Sequence, residues 1–492
     1  MMDFRSSLTR FRRAEDGTAA ILWAISLVVV FAFAALAFDI GRLGATQSEL
    51  QSFADNVALA AAGELDGKSD AVTRAQAAAA NLISDSQTFA NGDQALAGTV
   101  DYTLTFYASL PADDTAPMTD VTTDPADAVY AEVVVTPHSV STVFRAATNA
   151  LLGGAGGGAA AVGATAVAGY TQEACDITPL MFCLPPGFTA SEQIGTMINL
   201  RSGGGGSAWG PGNFGFLDPE GGVGDTCDGL TGANLYRCLV GAELNITQCV
   251  SQRGVDMRTG QQVGLAEAFN VRFGIYRATM NNEKNNPTFS PAPNVISGVL
   301  PDNPNSCNWA NPAASDAVAL PKDSCFATGT CAHGNRFGNG VWDYAGYIAA
   351  NHGGSDAHLT AYAVDPQYAG TRYETYLREI QHGNANASGN ILDGLLDTGR
   401  PLPACNGANM SSRPQRRVLV AAGIDCVANN INGATDDVPV EEFVELFLTH
   451  PVGDDGTNNF DIWVEVIGSA GGDGYSSAGP GGIFRDVVQL YR

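Results

Sequence analysis

Thr18-Ala-Ala-Ile-Leu-Trp-Ala-Ile-Ser-Leu-Val-Val-Val-Phe-Ala-Phe-Ala-Ala-Leu-Ala-Phe38 carries no charge along its whole length. Read as a helix at 1.5 Å per residue it spans about 31 Å, enough to cross a hydrocarbon layer of about 30 Å. Arg5, Arg10, Arg12 and Arg13 precede it, and only Arg42 follows closely. That asymmetry predicts residues 1–17 on the cytoplasmic side, a transmembrane helix over 18–38 and the rest of the chain beyond the membrane. A cleaved signal peptide ending at Ala35-Leu36-Ala37 is the rival reading. Against it, the run exceeds the roughly 7–15 apolar residues of such a segment, and no helix breaker separates it from the residues C-terminal to it.

Beyond the run the helical pattern continues. Ile40, Leu43, Leu50, Phe53, Ala54, Val57, Ala58, Ala61 and Leu65 recur at three- and four-residue steps, the spacing of one buried helix face. This outer half buries little by itself and needs a partner, either its own domain or another subunit. An Ala-rich helix over 70–83 is expected to fold back on it.

These residues carry a resemblance. Arg10-Phe-Arg-Arg-Ala-Glu-Asp-Gly17 leads into the apolar run; Asp39-Ile-Gly41-Arg42 follows it, and then the Ala-rich stretch from Glu49. The order resembles the N-terminal domain of TadE/TadG-like proteins of the Flp (tight adherence) pilus assembly system, over about residues 9–65. The resemblance implies a membrane-anchored structural or assembly component of such a pilus, in the inner membrane with its bulk periplasmic. Its implied partners are the pilus-assembly machinery or pilin-like subunits, and its anchor motif is Gly17, Asp39, Gly41 and Arg42. Two departures favour a TadG-like over a TadE-like reading. Members cut by the prepilin peptidase place a Glu five residues after the cleavage-site Gly, where this chain has Leu22. The Asp-x-Ser-x-Ser metal motif of longer TadG proteins is also missing. Asp425 is the nearest candidate, with Val427 and Asn429 in place of the serines, so no metal site of that kind is expected.

The remaining composition bounds what the exported part does. Acidic residues outnumber basic ones 51 to 25, for a net charge of −26, a field that repels nucleic acid. The ten cysteines fall between Cys175 and Cys426: Cys175, Cys183, Cys227, Cys238, Cys249, Cys307, Cys325, Cys331, Cys405 and Cys426. An even count confined to the exported part predicts up to five disulfides. Cys175/Cys183, Cys227/Cys238 and Cys325/Cys331 are close enough for local staples, but spacing leaves the connectivity open.

The expected architecture is α+β. The long N-terminal helix leads into a membrane-proximal helix and small α+β domain over 39–170. Its strands fall at 100–107, 129–136 and 159–170, with a helix over 139–152. Residues 171–492 form a Cys-rich exported domain, loop-rich and disulfide-stapled, with a C-terminal β-sheet built from 416–424, 442–448, 460–467 and 486–491. The Gly-rich turn 153–158 lacks the flanking elements of a dinucleotide loop, so no cofactor is expected.

No nucleophile elbow, zinc-protease motif or phosphate loop occurs, and the chain is expected not to be an enzyme. His352 and His358 with Asp356, and Asp343 upstream, form the densest histidine cluster, read as polar loop residues. Asp454 to Asp461 is oxygen-rich but lacks the EF-hand pattern and reads as a hairpin turn. The alternative to an assembly role is a tethered adhesion or ligand-binding module, since 171–492 is far more than an anchor requires.

Overall fold

The computed structural model describes residues 18–81, 84–88, 95–97, 100–111, 113, 115–142, 144, 159–175, 177–203, 208–218, 226–243, 249–251, 254–259, 265–296, 298, 307, 318–393, 399–454, 460–470 and 483–491. They divide into two compact units, one from 1–171 with 486–492 and the other from 172–485.

In the first unit, α1 (Thr18–Ala62) runs for 45 residues without a break. Ala and Leu, both strong helix formers, recur along it, and it holds no proline. From Leu50 to Leu65 its apolar stripe is fully buried. That stripe packs on the sheet β1 (Tyr102–Tyr107), β2 (Tyr130–Val135) and β5 (Thr165–Cys175), meeting Phe106, Val133 and Ala166. The partner left open by the periodicity is therefore the helix's own domain. Each fully buried Leu, Val or Phe there contributes roughly 1.5–3 kcal/mol. α2 (Ala71–Asn81) adds Ala75 and Ala79 to the same core.

β1 and β2 pair antiparallel with Phe106 opposite Ala131, and β2 and β5 with Val133 opposite Ala166. Two expectations change here. The helix expected over 139–152 begins instead as a strand, β3 (His138–Ser141), because inward-facing Val140 pairs with Ala160 of β4 (Ala159–Val162); residues 145–152 and the Gly-rich turn lie outside the described residues. The single strand expected over 159–170 is broken at Gly163, where the chain leaves β3 for a new partner, β2. The strand at the chain's end, Phe484–Leu490, does not join the exported strands with which its alternation groups it. It pairs with β5, and Tyr491 N donates to Val167 O at 2.8 Å. Gly169 leaves room for the edge-to-face rings of Tyr130 and Tyr491: a Cβ there would lie 2.6 Å from Tyr130.

The second unit is built on strands that close on themselves. Among its strands are β6 (Leu180–Cys183), β7 (Met197–Ser202), β8 (Asn213–Leu217), β9 (Val255–Thr259), β10 (Val418–Ile424), β11 (Thr435–Val438), β12 (Glu442–Leu448) and β13 (Phe460–Ser469). Hydrogen bonding runs β8–β6–β10–β12–β13–β7 and returns from β7 to β8. The result is a six-stranded barrel of mixed direction, parallel at β6/β10 and β7/β8. Alternate residues of all six strands, among them Phe182, Leu200, Phe214, Leu419, Leu446 and Val464, fall in one buried cluster. That is the barrel interior, since side chains alternate across a strand. The outward positions divide between separate clusters. Cys183, Ile424 and Phe443 face one side, while Phe447 and Ile467 meet the aromatic residues of α3 (Tyr344–Asn351) and α4 (Arg372–Ala385). Closure leaves these six strands no free edge.

Candidate functional site

Two parts of the molecule carry features that packing alone does not explain. The first is the N-terminal part of α1. Its apolar residues from Ile21 to Ile40 are exposed, Ile21 at 63 % and Phe33 at 68 %. It is the one helix among the described residues long and apolar enough to cross a membrane. Burial then begins on one side of the helix. Asp39 is buried at 3 %. Arg42, three residues on and so on the same side of the helix, donates from Nη1 to Ser141 O at 3.0 Å. Phe38 meets Phe144 edge-to-face at 5.7 Å. The anchor motif thus lies where the helix passes from an exposed apolar rod to a packed core element. Gly41 has open space around it, and Gly17 lies outside the described residues.

The second part is the polar chemistry of the second unit. All ten cysteines are paired: Cys175–Cys249, Cys183–Cys426, Cys227–Cys238, Cys307–Cys405 and Cys325–Cys331. Cys175 and Cys183, close in sequence, are not joined to each other. Cys175 stands opposite Cys249 in a strand pair, and Cys183 lies beside the end of β10. Arg372 at the start of α4 is fully buried between Asp323 and Glu465, with Nη1 2.9 Å from Glu465 Oε1. Glu465 also accepts the backbone N–H groups of Arg372 and Tyr373, an anion at a helix N-terminus. Burial pushes the Glu465 carboxyl up, against the opposing pull of Arg372. A cleft of about 670 Å³ opens beside this hub, lined by Asn199, Lys322 and Trp463 among others, with Lys322 Nζ 4.1 Å from the Trp463 ring centre.

The histidine cluster read from the sequence is regrouped by the fold. Asp356 accepts from Tyr344 OH at 2.9 Å, and Asp343 caps α3 by accepting from Gly346 N, so neither joins the histidines. Asp393 and His382 do. His352 Nδ1 lies 3.1 Å from His358 Nε2, which lies 3.0 Å from Asp393 Oδ2. His382 Nε2 is 3.5 Å from the same Asp393 oxygen. Behind them Glu379, fully buried, accepts from Tyr347 OH at 2.6 Å and Asn294 Nδ2 at 2.8 Å, and lies 3.0 Å from His352 Nε2. Burial pushes the His358 imidazole below the usual histidine range, ahead of the opposing pull of Asp393. The signal that could have found this group is the spacing Glu379-x-x-His382, which puts both side chains on one helix face.

The other candidates are occupied by local structure. Asp425 accepts from Val427 N and Ala428 N, closing a turn. Asp461 is held by both Nε and Nη2 of Arg201, at 2.8 and 2.9 Å, which commits it away from an ion; residues 455–459 lie outside the described residues.

Residues 17–64 match the family described as Flp pilus-assembly TadE/G-like. The match takes in the whole of α1, both its exposed apolar part and its buried stripe as far as Ala62. It supports a component associated with Flp/Tad pili. No curated protein and no solved structure matches the chain.

Proposed function

We propose that the protein is a membrane-anchored structural or assembly component of a Flp/Tad-type pilus system. In this reading α1 crosses the inner membrane once, with its N-terminus in the cytoplasm and both folded units on the periplasmic side. The observation that carries it is the sharp change along one unbroken helix. The exposed apolar residues have a length suited to lipid, and the matched family segment continues into a face buried in the first unit. Four arginines ahead of the run support the orientation. Five disulfides support an oxidising compartment for the second unit. Its partners are then the bilayer and pilus-assembly proteins or pilin-like subunits, and it performs no catalysis itself. In-frame deletion in a piliated strain tests this reading: loss or shortening of pili, restored by the gene in trans, is expected. Unchanged pili reject it.

A second reading, a tethered ligand-binding module, draws support from the cleft lined by Asn199, Lys322 and Trp463. An aromatic face beside a cation and an amide suits a polar, ring-bearing ligand such as a glycan. Wild-type piliation with impaired surface attachment in the deletion strain favours it.

A further inference from the structure

The histidine cluster of the second unit has a geometry that side-chain hydrogen bonding does not satisfy. Glu379 accepts from Tyr347 and Asn294 and is acceptor-only as a carboxylate, so the His352 Nε2 facing it carries the proton. His352 Nδ1 is then a bare lone pair, aimed at His358 Nε2. One N–H on His358 cannot serve both that nitrogen at 3.1 Å and Asp393 Oδ2 at 3.0 Å. Nor does it help His382, whose Nε2 is buried and makes no hydrogen bond among the described residues. Four donor atoms thus face one another with too few protons between them.

We infer that His352, His358 and Asp393, with His382 as the adjacent fourth donor, hold a divalent zinc-class cation. Imidazole and carboxylate ligands sit about 2.0–2.2 Å from such an ion, which places tetrahedral ligand atoms roughly 3.3–3.5 Å apart. The observed separations of 3.0, 3.1 and 3.5 Å lie close to that edge length. One ligand atom from each of His352, His358 and Asp393 also lies within 4.8 Å of the other two. Nitrogen-rich donors exclude calcium and magnesium, which take oxygen. Glu379 supplies the outer carboxylate that fixes tautomer and ring orientation in histidine–metal sites. The Asp393 side chain is 41 % exposed and His358 25 %, which gives an ion a way in. The site is structural. It ties α4, through His382, to the loop after α3 and to the chain beyond the end of α4, so the ion joins segments that no disulfide reaches.

The test uses the full-length protein in detergent, stripped with a chelator, reloaded with zinc alone and freed of excess by gel filtration. Elemental analysis is expected to find about one zinc per chain, and a competing chromophoric chelator reads its affinity. H358Q and D393N should each weaken retention at least tenfold. E379Q should weaken it about 10- to 100-fold as a positioning residue. H333Q, an exposed histidine elsewhere in the unit, should leave it unchanged. Zinc should also raise the unfolding temperature of the wild type but not of D393N. A wild-type protein that keeps no zinc overturns the proposal, as does retention at the wild-type level by H358Q and D393N.

Discussion

Cys183 and Cys426 are joined across 243 residues of sequence, with their Cα atoms 5.3 Å apart. The bond connects the end of β6 to the residues just past β10, where Cys183 already stands beside Ile424 in the parallel pairing. It fastens two neighbouring barrel strands that share only three register positions. A crosslink spanning so long a loop removes much freedom from the unfolded chain. The double variant C183A/C426A is expected to lose about 2–5 kcal/mol of stability by urea unfolding. C227A/C238A, which opens an eleven-residue span, should lose less. Equal losses would show that the length of the closed loop does not set the effect.

Arg372 holds the helical insert to the barrel. It pairs with Asp323 on one side and Glu465 of β13 on the other, all fully buried. R372M leaves two carboxylates without their counter-charge and is expected to cost about 3–5 kcal/mol. R372M/E465Q should recover part of that loss, because one of the stranded charges is gone. R372K should not behave as wild type, since a single ammonium cannot bridge both partners in the geometry of the planar fork. Urea midpoints of the four proteins decide it.

Glu445 sets a pH dependence. It lies on β12 with Oε2 buried and without a hydrogen bond among the described residues. Burial pushes its carboxyl up to about 7, whereas an unfolded glutamate titrates near 4.3. The folded value lies above the unfolded one. Its contribution is therefore fully present below about pH 4.3 and is lost as the pH rises through about 7. E445Q should match wild type near pH 4 and exceed it by roughly 3–4 kcal/mol at pH 8. A difference that stays constant between those two pH values would show that the carboxyl titrates alike in the folded and unfolded chain, and would contradict the raised folded value.

The parts of the fold legible in the sequence are those with a period. The apolar run and the i, i+3, i+4 stripe from Leu50 to Leu65 describe α1, because lipid and a sheet each impose an unbroken pattern on it. Phe443 to Leu448 and Ile462 to Ile467 are visible as strands for the same reason. The barrel is not legible. β6, β7 and β8 are short runs of four to six residues, and they close the ring with β10, β12 and β13 from more than 200 positions later. No local pattern records such pairings. The histidine site is half legible: His352 and His358 stand close in sequence, but Asp393 reaches them only because α4 turns the chain back. Asp356, the nearer acid, is taken by Tyr344.

The most direct test of the account is carbonate extraction of membranes from the producing cells, followed by N-terminal sequencing of the recovered chain. The protein is expected to stay in the sedimented membranes at alkaline pH with residues 18–38 intact. A soluble chain whose first residue falls near Phe38 would contradict it.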